Sequence, residues 1–229
     1  MKKNNLILGA FLAITAILFS SFGAYSSSDN TSTEKGEGSI ESTESGGVVT
    51  IGSQVWSSKN LDVSTYSNGD VIPQVQDQEA WQNLTTGAWC YYDNDASNGT
   101  KYGKLYNFYA VNDPRGLAPK GFHIPNDAEW SILTDNLGGD YEAGTKMKGS
   151  TGWYKKGNGT NSSGFSGLPG GYRANDGTFN DVRKYGYWWS SSESNTSNAW
   201  YRNLYYYDGN VYWYYYDKSG GISVRCLRD

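Results

Sequence analysis

Few residues in this chain could carry out covalent or metal chemistry. The single histidine, His123, sits in GFHIP without a serine or cysteine motif beside it, and the two cysteines, Cys90 and Cys226, lie far apart. A nucleophile needs an activating base within hydrogen-bond reach, and zinc needs paired Cys or His spacings. Neither pattern is present, so the chain does not read as an enzyme, and no cofactor or metal is expected. Two oxygen-rich stretches, Asp93, Asn94, Asp95 and Asn98, then Asn175, Asp176 and Gly177, raise calcium as a structural ion. Neither follows the alternating acidic loop with a closing Glu that defines an EF-hand.

What the sequence offers instead is contact chemistry. From Trp188 to Cys226 the chain carries its densest aromatic run, and between Asn203 and Asp217 almost every residue is Tyr, Asn, Asp, Gly or Trp. Such a mixture makes a poor core, because each buried phenol needs a hydrogen-bond partner. It makes a good contact surface, because Tyr supplies a large rigid area with a polar tip. The candidate ligand-contact residues are Tyr205, Tyr206, Tyr207, Asp208, Tyr212, Trp213, Tyr214, Tyr215, Tyr216 and Asp217. In a strand these rings alternate between faces. With Val211 inward, Trp213 and Tyr215 share its side while Tyr212, Tyr214 and Tyr216 face the other way, which leaves several rings in water. The alternative is a ladder of cross-strand Tyr pairs that stabilises a sheet.

The elements that would position this surface begin after residue 47. Lys2 and Lys3 precede the apolar run Leu6 to Phe19 and small residues near Ala24. This is the order of an export signal, assigned to 1–24, and its run is short for a membrane span. A retained signal is the one route by which a membrane contact is expected. Residues 25–47, rich in Ser, Thr, Glu and Gly, read as a flexible tether, and 48–229 as one domain. The net charge is −4; without the two signal lysines it falls to about −6, which argues against a nucleic-acid partner. In an exported chain, Cys90 and Cys226 read as one disulfide closing a loop of more than 100 residues; the alternative is two buried thiols.

Within the domain, VVTIGSQVW reads as a strand, a turn and a second strand. AWCYYDND places Cys90 in or beside a strand, and KLYNFYAVND is a strand or a short helix. Asn126 or Asp127 caps the clearest helix, Glu129 suits its dipole, and Trp130, Leu133 and Leu137 share its inner face before Gly138 and Gly139 end it. A weaker helix runs from Tyr141 to about Lys148. Trp188 and Trp189 are core candidates. Val224 and Cys226 are expected inward, with Arg225 outward or paired to an acid. The 29 glycines imply a loop-heavy fold shaped by tight turns.

Nine strings occur in order: GSQVWSSKNLDV, AWCYYDND, YGKLYNFYAV, PKGFHIPNDAEW, AGTKMKG, SGFSGLPGGYR, YWWSSS, NAWYRNL and GISVRC. Together they resemble the Fibrobacter succinogenes major paralogous domain family over about Gly52 to Asp229. The resemblance implies an exported or surface protein without an established enzymatic role. It also implies an α+β fold of C-type lectin-like (sulfatase-modifying-factor-like) type, with short antiparallel strands, one or two helices and long Gly-rich loops. Sulfatase-modifying enzymes use a close cysteine pair near the chain end, and Cys226 has no such neighbour. The stretch after Asn198 is also similar to the variable region of proteins diversified by diversity-generating retroelements. The expectation is therefore an exported, cell-surface, periplasmic or extracellular receptor or adhesin-like domain that contacts a surface protein or glycan. A carbohydrate-binding module with fixed aromatic platforms and a structural surface protein are the other readings.

Overall fold

The computed structural model describes residues 47–229. The expected export signal and, but for Gly47, the expected tether lie outside these described residues. In chain order the elements are β1 (Val48–Ile51), β2 (Gln54–Ser57), α1 (Gln78–Gln82), β3 (Trp89–Cys90), α2 (Ala96–Tyr102), β4 (Leu105–Tyr106), α3 (Phe108–Val111) and β5 (Phe122–His123). There follow α4 (Asp127–Asn136), α5 (Asp140–Met147), β6 (Tyr172–Arg173), β7 (Phe179–Asn180), β8 (Tyr185–Glu193), β9 (Asn198–Tyr205), β10 (Val211–Asp217) and β11 (Leu227–Arg228). The result is a mixed fold of short antiparallel strands and a few short helices. KLYNFYAVND supplies both a strand and a helix.

Helix α4 starts where its sequence says it must. The Asn126 side chain accepts from the Glu129 backbone N–H at 3.0 Å while Glu129 Oε2 accepts from the Asn126 N–H at 2.8 Å, a reciprocal cap. Trp130, Leu133 and Leu137 are buried on one face, and Gly138 and Gly139 end the run at positive φ.

Two sheets organise the rest. One has the order β1-β2-β11-β5, so the last strand returns between elements from the first half of the domain. The other is an antiparallel meander, β10-β9-β8. Trp188 and Trp189 are adjacent in β8, and each is 0% exposed. Successive strand residues point to opposite faces, and the two indoles enter different clusters. Trp188 packs with Trp56, Trp130, Met147 and Phe165, and Trp189 with Tyr106, Phe108 and Val224. Strand β8 is thus buried on both sides.

The long Gly-rich loops are held by buried cations. Arg173 donates to the carbonyls of Gly177, Val75 and Gln76 at 2.7–3.0 Å and lies 4.4 Å from the Trp81 ring. Arg225, expected outward or paired to an acid, is 1% exposed and has neither arrangement. Its guanidinium donates to the carbonyls of Ser57 and Phe165 and to Asn60 Oδ1 at 2.7–2.8 Å, over the Phe165 ring. A planar fork of five donors can satisfy several carbonyls at once, which offsets the burial that lowers its proton affinity.

The expected disulfide is corrected by the packing. Cys90 and Cys226 are free buried thiols. Cys90 packs with Trp81, Ala88, Tyr92 and Leu105, whereas Cys226 packs in the cluster of Tyr106 and Val224. Leu105 and Tyr106 are consecutive in β4 and project to opposite sides, so the sulfurs belong to separate cores. Burial pushes each thiol up to about 12, which makes both inert at neutral pH. The chain's last segment is held to the first by β11 and by Arg225 instead.

Candidate functional site

The Tyr-rich stretch forms the second half of β9, the turn after it, and the edge strand β10. Register fixes which rings share a face. Tyr212, Tyr214 and Tyr216 stand opposite Asn203, Tyr201 and Ala199, while Val211, Trp213 and Tyr215 stand opposite Leu204, Arg202 and Trp200. Directly paired residues point to the same side, so the expected alternation about an inward Val211 is what the sheet has.

On the first side, Tyr185 and Tyr187 of β8 and Tyr201 and Tyr205 of β9 join the three phenols of β10. Their rings touch in sequence: Tyr185 to Tyr205 at 4.6 Å, Tyr205 to Tyr212 at 4.5 Å, and Tyr212 to Tyr214 at 6.3 Å and nearly parallel. Tyr172 closes the far end against Tyr187 and Tyr216. On the second side Trp200 meets Tyr215 edge-on at 5.7 Å. The cross-strand ladder that was the alternative reading therefore exists, and its outer rungs remain in solvent.

Exposure separates the ten candidates into two groups. Tyr207, Trp213, Tyr214 and Tyr215 are 59%, 50%, 47% and 56% exposed. Tyr205, Tyr206, Asp208, Tyr212, Tyr216 and Asp217 are half-buried. Asp208 and Asp217 act locally. Asp208 accepts from the Asn210 N–H at 3.0 Å and the Tyr212 hydroxyl at 2.9 Å, and Asp217 accepts from the N–H and hydroxyl of Ser219.

The turn is held from below through its backbone. Lys148, 4% exposed, donates to the carbonyls of Tyr205 at 3.0 Å and Asp208 at 2.6 Å. Burial lowers its proton affinity, and the Asp208 charge partly restores it. Gly144 of α5 lets the turn approach, since a Cβ there would stand 2.5 Å from the Asn210 carbonyl oxygen. Arg202 anchors β9 to the start of α4 by donating to Asp127.

The phenol face is electrically neutral near physiological pH. Burial raises the pKa of Tyr185, Tyr187, Tyr201, Tyr205 and Tyr216, and the Asp208 carboxylate holds the proton of Tyr212. Each ring thus offers an apolar face and a hydroxyl that both donates and accepts.

Elsewhere, a cleft of about 310 Å³ between α3 and the end of β8 contains Lys218, Glu193, Asp113 and Arg115. Its charges pair with one another: Lys218 with Glu193, and Arg115 with Asp113 and Asp70. His123 bridges Glu129 and Asp229 at 2.9 and 2.8 Å. In the two oxygen-rich stretches Asp95 accepts from Ser97, Asp176 accepts from Thr178 and Asn98 donates to the Tyr92 carbonyl, while Asn94 donates to the Gln76 carbonyl and Asn175 accepts from the Tyr216 hydroxyl. Among the described residues no three His, Cys, Asp or Glu side chains gather as a metal site.

Residues from outside the predicted set complete the site: Tyr172, Tyr185, Tyr187 and Tyr201 on the phenol side, Trp200 on the other side and Lys148 beneath the turn. The alternation in YGYWW and AWYRNLY marks which rings share a side of each strand, but only the register brings the three strands together. No curated protein and no solved structure matches the chain. A family model, that of the Fibrobacter succinogenes major domain, matches residues 49–228, and with most of its length covered the chain belongs to that family.

Proposed function

We propose that this is an exported, non-catalytic ligand-binding domain of receptor or adhesin type, whose aromatic face contacts a surface protein or glycan. The observation that carries this reading is the exposure of Tyr207, Trp213, Tyr214 and Tyr215 on a closely packed frame. Trp213 and Tyr215 stand on one side of the edge strand and Tyr214 on the other. Exposed rings gathered along one sheet edge mark a contact site, and rings pre-ordered by packing lose little freedom on binding. The internally neutralised cleft, the inert thiols and the doubly bonded His123 support a role without catalysis. A C-type lectin-like arrangement is the finer fold we infer, with the Tyr-rich meander as its ligand side. Export by residues 1–24, a tether over 25–47 and retroelement diversification of the stretch after Asn198 belong to the same proposal.

The test is a variant with Tyr207, Trp213, Tyr214 and Tyr215 all replaced by Ser, compared with wild type on protein and glycan arrays. The variant should keep its melting temperature within a few degrees and lose every ligand the wild type retains. Retention of those ligands would remove the aromatic face from the function. Diversification is tested in the gene's neighbourhood, which should hold a reverse transcriptase and a near-copy of this stretch differing at adenines.

A further inference from the structure

Asn203 lies in the middle of β9, opposite Tyr212 on one side and Tyr187 on the other. Its side chain therefore belongs to the phenol face, between Tyr201 and Tyr205 along its own strand. It is 1% exposed, and neither Oδ1 nor Nδ2 has a hydrogen-bond partner among the described residues. Burial of an amide with both its acceptor and its donor idle is costly and uncommon in folded proteins. The other buried groups without a partner, in Tyr66, Trp81, Asn94 and Trp130, each leave one atom idle, and none of these residues stands on the phenol face.

The surrounding hydroxyls are committed or misaligned. Tyr187 donates to Asp181 and Tyr212 to Asp208, both at 2.9 Å. Tyr205 is close enough for the Asn203 amide to offset part of the burial that raises its pKa, yet neither amide atom reaches hydrogen-bond geometry with it. Tyr212, directly across from Asn203, and Tyr205, two residues along its own strand, are half-exposed, and their rings stand 4.5 Å apart. The Tyr212 hydroxyl is tied to Asp208 and Asn210, so access to the amide would come from rotation of Tyr205, a motion open to partly exposed side chains on fast timescales.

We propose that Asn203 is the polar anchor of a glycan subsite and that it receives the acetamido arm of an N-acetylated sugar. A carboxamide presents one acceptor and one donor edge, and its complement is another amide. An acetamido group carries both functions on a short arm that ends in a methyl, small enough to enter between rings. The apolar face of the pyranose then lies on Tyr205, Tyr212 and Tyr214, and its hydroxyls meet neutral phenols. A peptide backbone amide has the same polar groups but continues as chain on both sides, which the ring walls exclude. The inference rests on the ligand-binding reading above and narrows its ligand class.

The experiment is calorimetric titration of the wild-type domain with triacetylchitotriose and with cellotriose, which share a β-1,4 hexose backbone and differ in the acetamido arm. The wild type should bind the acetylated sugar at least about tenfold more tightly, as expected when an idle polar pair gains its partners. In Asn203→Leu the preference should vanish while the melting temperature rises by a few degrees, because the unpaired amide is gone. Equal affinity for the two sugars, or affinity for neither, overturns the proposal without any variant. So does a melting temperature that falls in Asn203→Leu, which would mean that water already satisfies the amide. If the wild type ignores both sugars but retains array ligands that the four-serine variant loses, this inference falls and the ligand-binding function stands.

Discussion

Strands β8 and β10 are aromatic runs of one sheet, separated by a single strand, and they have opposite fates. In β8 the run YGYWW is covered on both sides, with Trp188 in one cluster and Trp189 in another. In β10 the run VYWYYY buries only Val211, and Trp213, Tyr214 and Tyr215 each leave about half their surface in water. Both are terminal strands of the meander, and the difference lies in what covers them. The outer side of β8 is bridged to Ser223 and its two faces are packed, whereas no such cover lies over β10 among the described residues. An indole is buried where two clusters flank its strand, and half of it stays in water where neither face is covered. Aromatic content alone therefore says little about role; the number of covered faces decides it. The edge also lacks the lysines and prolines that usually blunt such strands, in keeping with a surface meant to be met.

The contrast is sharpest in stability. Trp188→Ala should cost about 3–5 kcal/mol, the usual loss for a large core aromatic, whereas Trp213→Ala should stay within about 0.5 kcal/mol. Denaturant unfolding of the two variants checks this, and equal losses would make β10 a core strand. A smaller effect is expected where the frame holds the turn. Gly144→Ala drives a Cβ into the Asn210 carbonyl and should cost about 1–3 kcal/mol, as overpacking does. Hydrogen exchange should then accelerate around residues 205–211 and leave β8 protected; uniform acceleration would mean the turn is no separate unit.

Frame and face should also differ in their response to pH. Burial lowers the His123 pKa, but its hydrogen bonds to Asp229 and Glu129 prevail and raise it above 6.5. A raised folded-state value means the bridge contributes fully below pH 6.5 and is lost as pH rises through the raised value. With His123 partly exposed the effect should stay below about 1 kcal/mol. Unfolding measured from pH 5.5 to 8.5 should decline in the wild type and flatten in His123→Gln, while ligand affinity of the neutral phenol face stays constant. The smallest effect belongs to the thiols. Reductant should leave the melting temperature unchanged, and iodoacetamide should label Cys90 and Cys226 only after unfolding. A reductant-sensitive melt would restore the disulfide.

Local signals carried the legible part of the fold. Asn126, Glu129 and the spacing of Trp130, Leu133 and Leu137 define α4 from contacts within one or two turns, and Trp188 and Trp189 were legible as core residues, though not that they enter two different clusters. The alternation of β10 about Val211 was readable for the same reason. What was not readable depends on register and on distant partners. Tyr185 and Tyr201 join the candidate face only because β8 and β9 align with β10. Arg225 takes carbonyls from segments some sixty and more residues away, which no local pattern announces. The cysteines illustrate a further limit, since count and compartment favour a bond that the two sides of β4 keep apart.

Lys148 grips the turn after β9 by two main-chain oxygens, those of Tyr205 and Asp208. Every amino acid brings the same oxygen to those positions. The two hydrogen bonds are therefore blind to identity: residues at 205–207 can be exchanged without the lysine losing its hold, and only at 208 does a side-chain charge also support it. Novelty at the rim need not be renegotiated with the foundation, and an inheritable scaffold can carry many different faces.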